Sequence, residues 1–293
     1  ALQKQLTDAV PGARISVFSR RHIPRDIHIV LNSTPVGMYP KENAAPLHYL
    51  PHKTEYVFDA IYNPPVTSTM KLANLRKTKT RDGRLMLVMQ AAHAQTIWTG
   101  VTFEPQACET ILRRTYGKMA VKRLHEKHGK KNLVLCGFMG SGKTTIGRKL
   151  ARLTGLEFID ADIYLEAKEG KKISEIFAEK GEAYFRDRET AYIKELSQRD
   201  GIVLALGGGS VLRPENVAAV KETGLLILLD TPFYRIMKNL SYSTNRPLLD
   251  KPDKQAETRR LYNARKALYH RVADIAVRSP RLSEVLEKVV KSV

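Results

Sequence analysis

The chain has 293 residues, long enough for two domains, and 43% of them are hydrophobic, with 14 prolines and 18 glycines, the composition of a globular rather than a disordered protein. No apolar run approaches the roughly 20 residues that span a bilayer, no basic-then-apolar leader is present, and two cysteines exclude a disulfide framework; a reducing, cytoplasmic setting with no membrane partner is expected. The net charge of +19 is spread as +11 over residues 1–130 and +8 over 131–293, without an aromatic-interleaved stripe. Anionic small substrates explain it as well as nucleic acid does, and no nucleic-acid partner is expected.

ALQKQLTDAV at the start reads as the middle of an amphipathic helix, with Ala1, Leu2, Leu6 and Val10 as its apolar positions. With no cap ahead of it, the helix points to further sequence upstream. Strands are expected over residues 13–18, 27–31 and 56–61. Helices are expected near 67–75 and over 85–99, the second ending at Gly100. Residues 113–131, RRTYGKMAVKRLHEKHGKK, are strongly basic and read as a solvated linker with helical potential from Lys118 to His128.

From Asn132 onward, apolar runs alternate with helical patterns, as in a parallel α/β sheet. Strands are expected at 133–136, 157–159, 202–206, 225–229 and 274–277. The expected helices are 143–153, 163–168, 173–179, 183–198, 214–222, 232–239, 254–271 and 282–292. The first strand breaks into Gly137, Gly142, Lys143 and Thr144, the spacing G-x-x-x-x-G-K-T. Glycines let the backbone curl so that successive N–H groups face phosphate oxygens, and the helix that follows adds its positive end. Lys143 can reach the β- and γ-phosphates, and the Thr144 hydroxyl can ligate Mg²⁺. A nucleoside-triphosphate site is expected.

Ligands of such sheets sit beyond the C-terminal strand ends. After the second strand come Asp160 and Asp162, which alternation places on one side of an extended segment, suited to a metal and a nearby hydroxyl; an acidic helix cap would give the same pair. Gly207, Gly208 and Gly209 follow the third strand and allow a ligand close to the backbone. Arg186 and Glu189 lie one helical turn apart and can pair, which a plain surface ion pair would also do. Arg246 sits in SYSTNRPLLDKPDK, a polar stretch resembling a mobile lid. Arg265 and Tyr269 are i, i+4 on the helix after it.

Two resemblances organise these residues. NSTPVGM, FDAIYNPPVT and DGRLMLVMQAAHAQTIWTG, in that order over residues 1–115, resemble the nicotinamide-cofactor half of shikimate dehydrogenase. The resemblance implies Asn32 and Thr34 near a cofactor ribose, Met86 near the nicotinamide, Tyr62 and Gln90 on the substrate, and Arg20 or Arg21 where the family holds the 2′-phosphate. The family's glycine-rich turn, its substrate domain and its catalytic Lys and Asp are absent, which implies a partial domain that does not oxidise shikimate by itself. Residues 132–293 resemble shikimate kinase through GFMGSGKTT, FIDADIYLE, IFAEKGEAYFRDRE, LALGGGSV, NRPLL and ARKALYHRVAD. That resemblance implies ATP on Gly140, Ser141, Gly142, Lys143, Thr144 and Thr145, Mg²⁺ on Thr144 and through water on Asp160, and Asp162 on the attacking hydroxyl. It further implies Arg186, Arg265, Gly208 and Gly209 on shikimate, with Arg246 neutralising the transferring phosphoryl. An arginine the family often carries before its RPLL element is replaced by Lys238 and Asn239, leaving the adenine side open.

The expected architecture is a partial Rossmann-like α/β domain (1–115), a basic linker (116–130) and a P-loop kinase domain with a five-stranded parallel sheet (131–293). A bifunctional dehydrogenase–kinase and a gluconate or nucleoside-monophosphate kinase of like architecture are the alternatives.

Overall fold

In the computed structural model, which describes residues 5, 16–19, 22–241, 254–278 and 280–292, the chain divides into two units, Ala1–Leu112 and Arg113–Val293. The first holds a three-stranded parallel sheet of β1 (Ile29–Asn32), β2 (Tyr56–Asp59) and β3 (Lys79–Asp82), in that order and with Leu31, Phe58 and Arg81 in register. Helix α1 (Ser68–Leu75) is capped by Thr67, whose side chain accepts from the Met70 amide. Leu50, Val57 and Ala73 form a small buried cluster with Val30 and Leu72 against it.

The dehydrogenase-like motifs are knitted together in this unit. Asp59 is fully buried and accepts from Asn32 Nδ2 (3.0 Å), the Ile61 amide (3.1 Å) and Thr67 Oγ1 (2.7 Å). Asn32 Oδ1 in turn accepts from the Thr34 amide and hydroxyl. Helix α2 (Arg84–Thr99) begins at Gly83, where a methyl group would lie 1.9 Å from the Ala60 carbonyl oxygen. Tyr62 and Met86 are partly exposed; Arg20 and Arg21 lie outside the described residues.

Sequence and structure differ here in two places. Residues 16–18, the described part of the expected strand at 13–18, are not in a strand. Strand β3, KTRD, was not expected: it has no apolar alternation, and its place is fixed by pairing with β2 and by buried Asp82, which holds buried Arg84 through Nη2–Oδ2 (2.5 Å) and Nε–Oδ1 (2.9 Å) bonds.

Helix α3 (Pro105–His128) contains most of the basic stretch. It is not fully solvated, because Gly117, Ala120 and Leu124 recur at i, i+3 and i+7 and make a narrow apolar stripe. Ala120 and Leu124 are fully buried. A methyl group on Gly117 would lie 2.4 Å from the Leu153 carbonyl oxygen, so α3 meets the end of the phosphate-loop helix.

In the second unit, β4 (Asn132–Cys136), β5 (Glu157–Asp160), β6 (Ile202–Ala205), β7 (Gly224–Asp230) and β8 (Ile275–Arg278) form one parallel sheet in the order β5-β6-β4-β7-β8. The central β4, β6 and β7 are apolar on both faces and almost wholly buried, while edge strands β5 and β8 are half-exposed, as expected of a sheet covered on both sides. Helices α4 (Lys143–Thr154), α5 (Ala161–Glu169), α6 (Ile173–Ser197), α7 (Pro214–Thr223), α8 (Phe233–Ser241), α9 (Lys254–Val272) and α10 (Leu282–Ser292) complete the unit. The two helices expected at 173–179 and 183–198 both lie within α6, which is interrupted between them at Gly181, whose φ of 77° and ψ of 174° are not helical. The Asp160–Asp162 stretch is not extended: Asp160 ends β5 and caps α5, so Asp162 falls in the first helical turn.

Candidate active site

The chain order reverses direction at β4, which sends one connection to β5 and receives β7 on its other side, so a crevice opens beyond its C-terminal end. Gly140 and Gly142 occupy that end with positive φ (74° and 93°), a curl side-chain-bearing residues resist. No side chain among the described residues caps α4, so its first amides stay available to an anion. Lys143 Nζ bends back to donate to the carbonyl oxygens of Gly137 (2.9 Å) and Phe138 (3.2 Å). Thr144 Oγ1 donates to Asp160 Oδ2 at 2.7 Å, and the other Asp160 oxygen accepts from the Asp162 amide at 3.2 Å. Asp160 is thus both a helix cap and a neighbour of the hydroxyl expected on the metal. Thr145 is exposed. Ser141 is buried, and its hydroxyl has no hydrogen-bond partner among the described residues.

Two residues that hold this loop from behind went unassigned in the sequence. Thr231 Oγ1 donates to the Ser141 carbonyl (2.9 Å), and Asn239 Nδ2 to that of Gly140 (2.8 Å). Thr231 directly follows β7, so the same look past the strand ends would have found it. Asn239, one of the two residues standing where the family often carries an arginine, is spent on the loop backbone.

The triple glycine serves this chain's own side chains. A methyl group on Gly207 would lie 2.7 Å from Asp162 Oδ1 and 2.9 Å from Glu189 Oε1. One on Gly208 would lie 3.4 Å from the Met139 amide nitrogen in the phosphate loop, and one on Gly209 2.8 Å from both terminal nitrogens of Arg186. Arg186 pairs with Glu189 at 2.8 Å, their side chains 18% and 4% exposed, so the pair is no loose surface bridge. From the other side, Arg265 Nη1 (3.4 Å) and the Tyr269 hydroxyl both donate to the Gly208 carbonyl. Burial pushes the Tyr269 phenol up to about 12, so it stays a donor at neutral pH. Burial likewise pushes the Cys136 thiol up to about 12; it is an inert core residue. Arg246, with all of the NRPLL stretch, lies outside the described residues.

Behind the acceptor side, Glu169 gathers Tyr192 (2.6 Å), Arg188 (2.7 Å) and Tyr184 (3.0 Å). The hydrogen bonds from Tyr192 and Arg188 hold its carboxyl down at about 2. No helix among the described residues is long and apolar enough to cross a membrane, and both cysteines are buried and free.

The shikimate kinase family model matches residues 139–293. The shikimate kinase of Cupriavidus pinatubonensis is 44% identical over 155 residues, 53% of this chain and 81% of that protein. The shikimate kinase of Halorhodospira halophila is 43% identical over 162 residues, 55% and 92% of the two chains. Among solved structures, the shikimate kinase from Acinetobacter baumannii in complex with shikimate superposes with a TM-score of 0.53 at 36% identity, covering 58% of this chain and 94% of that one. A family match over more than half of the chain, over the same residues that build the phosphate loop and the triple-glycine turn, has one meaning: the chain belongs to the shikimate kinase family.

Proposed function

We propose that the second unit transfers the γ-phosphoryl group of ATP to a hydroxyl of shikimate, giving shikimate 3-phosphate, a step in forming aromatic amino acid precursors. One observation carries the reading. The phosphate loop and the triple-glycine turn meet at Met139 and Gly208, with Asp162 beside Gly207 and Arg186 against Gly209. A donor phosphate on the loop and an acceptor on the turn would therefore face each other across one carboxylate.

In this reading the amides of residues 140–145 and Lys143 bind the ATP phosphates, and the orphaned Ser141 hydroxyl suits the same polar ligand. Magnesium fits the hard oxygens of Thr144 and Asp160, 2.7 Å apart, and would supply charge neutralisation on the phosphate oxygens. Arg186 and Arg265 hold the shikimate carboxylate, and the Gly208–Gly209 backbone packs on its ring. Asp162 orients the attacking hydroxyl and takes its proton as the new O–P bond forms and ADP departs. Arg246 neutralises charge on the transferring phosphoryl. Phosphoryl transfer asks for positioning and neutralisation more than covalent help, which this set provides. The test is ADP release by the purified chain with ATP, Mg²⁺ and each of shikimate, gluconate and a nucleoside monophosphate. Shikimate alone should drive turnover; comparable rates with gluconate would refute the assignment.

A second reading concerns the first unit: residues 1–115 form a partial nicotinamide-cofactor domain of shikimate dehydrogenase, followed by a basic segment at 116–130 and the kinase domain at 131–293. The Asn32–Asp59–Thr67 network, which ties two of the three motifs together in a parallel sheet, supports it. A bifunctional enzyme whose dehydrogenase half is incomplete in this chain is the alternative to a kinase acting alone. Two reduced cysteines support a cytoplasmic setting.

A further inference from the structure

A buried carboxylate is stable only when both oxygens meet donors. Glu189 meets that demand with two residues far apart in sequence. Its Oε2 accepts from Arg186 Nη1 at 2.8 Å, and its Oε1 accepts from Ser210 Oγ at 2.6 Å. Ser210 is fully buried and opens the 3₁₀ turn Ser210–Leu212 directly after the glycines. Its backbone is fixed twice: its amide donates to the Gly207 carbonyl at 3.3 Å, and its own carbonyl accepts from Asn216 Nδ2 at 2.8 Å. Asn216 is itself fully buried, in the first turn of α7. A chain of fixed groups thus runs from α7 through Ser210 and Glu189 to the Arg186 guanidinium, which ends where the missing side chain of Gly209 leaves room.

We propose that Ser210 is a positioning residue for the phosphoryl acceptor: through Glu189 it sets the place of the Arg186 guanidinium. The inference rests on the reading of Arg186 as a carboxylate-binding residue. With the Ser210 hydroxyl in place, Glu189 has one oxygen left for Arg186 and holds it at a single point. Arg186 keeps its remaining N–H groups for Glu182, at 3.3 Å and well exposed, and for a substrate carboxylate. Without the hydroxyl, the Glu189 carboxylate turns toward Arg186 with both oxygens, the fork-on-fork pairing that arginine favours. The guanidinium is then drawn toward α6 and away from the acceptor, while the phosphate loop, which Ser210 does not touch in any of these bonds, is unaffected.

The experiment is Ser210→Ala in the full chain, with shikimate and ATP binding measured separately by calorimetry and both KM values taken by ADP release. Shikimate binding and KM should weaken about five- to twenty-fold with ATP binding within about two-fold, the loss of one hydrogen bond to a buried charge acting on one substrate only. Glu189→Gln should weaken shikimate binding as well, and the double variant should fall short of the product of the two, because both act through one chain of contacts. Ser210→Cys, which keeps the size and a weak donor, should recover part of the loss and serves if the alanine variant does not fold. Equal weakening toward ATP and shikimate, or fully multiplicative effects in the double variant, would overturn the proposal. If the unaltered chain binds ATP but not shikimate, the acceptor assignment itself fails and takes this inference with it. Normal shikimate binding by the unaltered chain that Ser210→Ala leaves unchanged defeats the inference alone.

Discussion

Gly209→Ala isolates the acceptor side in a single methyl group. The backbone of Gly209, at φ −109° and ψ −7°, is open to any L-residue, so the substitution brings no backbone strain. The new methyl carbon would nonetheless lie 2.8 Å from Nη1 and Nη2 of Arg186. Non-bonded carbon and nitrogen rest near about 3.5 Å, so the guanidinium must retreat by roughly 0.7 Å. That retreat stretches its 2.8 Å pair with buried Glu189, at a cost of about 1 kcal/mol, so the melting temperature should fall by about 2–4 °C. The displacement falls on the contact assigned to the shikimate carboxylate. A charge-assisted bond of this kind contributes about 1.5–3 kcal/mol, so shikimate KM should rise roughly ten- to a hundred-fold. ATP KM should hold within about two-fold, since the phosphate loop contacts Gly208 rather than Gly209. The assay is steady-state ADP release with each substrate varied in turn, beside a thermal melt. A variant with normal shikimate KM would refute the reasoning, as would one that loses both substrates while remaining folded.

Lys143→Ala and Asp162→Asn should each cut ADP release with shikimate by at least about a hundred-fold, with unchanged circular dichroism; near-normal turnover in either removes the role assigned to that residue. Glu169, held at about 2 in the folded chain, contributes stability that is fully present above its ordinary carboxylate range and is lost as pH falls from about 4.5 toward 2. Glu169→Gln should therefore flatten the acid limb of a melting-temperature profile in that window, and an unaltered limb would count against the network. A chain beginning at His128 loses the buried Ala120 and Leu124 of α3 and should be less stable than one beginning at Val101 by about 2–3 kcal/mol, read in a urea titration; equal midpoints would show that the stripe contributes nothing. The 293 residues should form no NADPH from shikimate and NADP⁺, followed by near-ultraviolet absorbance, because no G-x-G turn precedes Gly137 to meet a dinucleotide pyrophosphate.

The second unit was legible where one physical demand dominates a stretch. NLVLC, IVLA and GLLILLD are buried on both faces, so apolar runs marked them without any need for alternation. The phosphate loop was legible because its glycines answer to backbone geometry that local sequence must supply. Legibility failed where the demand comes from elsewhere in the fold. KTRD becomes a strand because β2 offers it a partner and because Asp82 is needed on Arg84, neither of which leaves a local pattern. The α3 stripe is only three small or apolar residues wide within a run of cations, and composition hides it. Asp160 and Asp162 admit both an extended pair and an acidic helix cap in sequence; the cap prevails, because the Asp160 side chain accepts from the Asp162 amide and turns the chain into a helix.

The triple glycine shows how local and distant demands converge. Composition after β6 implied only that something approaches the backbone there. The structure assigns each glycine a different visitor: Asp162 and Glu189 at Gly207, the phosphate loop at Gly208, the Arg186 guanidinium at Gly209. Each visitor belongs to a different part of the proposed chemistry, respectively the base, the donor cradle and the acceptor grip. At Gly207 and Gly209 the approach is closer than a side chain would permit, and at Gly208 a methyl group would rest in ordinary contact with Met139, so the three parts take their relative positions from one short stretch of backbone rather than from three flexible side chains meeting in solvent. That backbone is in turn held from outside, by Tyr269 and Arg265 on the Gly208 carbonyl and by Asn216 on that of Ser210. A reaction whose acceleration comes chiefly from alignment gains from such a common reference, because an error of about 1 Å in one partner can cost two orders of magnitude in rate. Alanine at Gly207 and at Gly209 should therefore fail in two distinguishable ways, at proton transfer and at acceptor binding, while alanine at Gly208, whose methyl would lie 3.4 Å from the Met139 amide, should leave both substrates' KM within about two-fold.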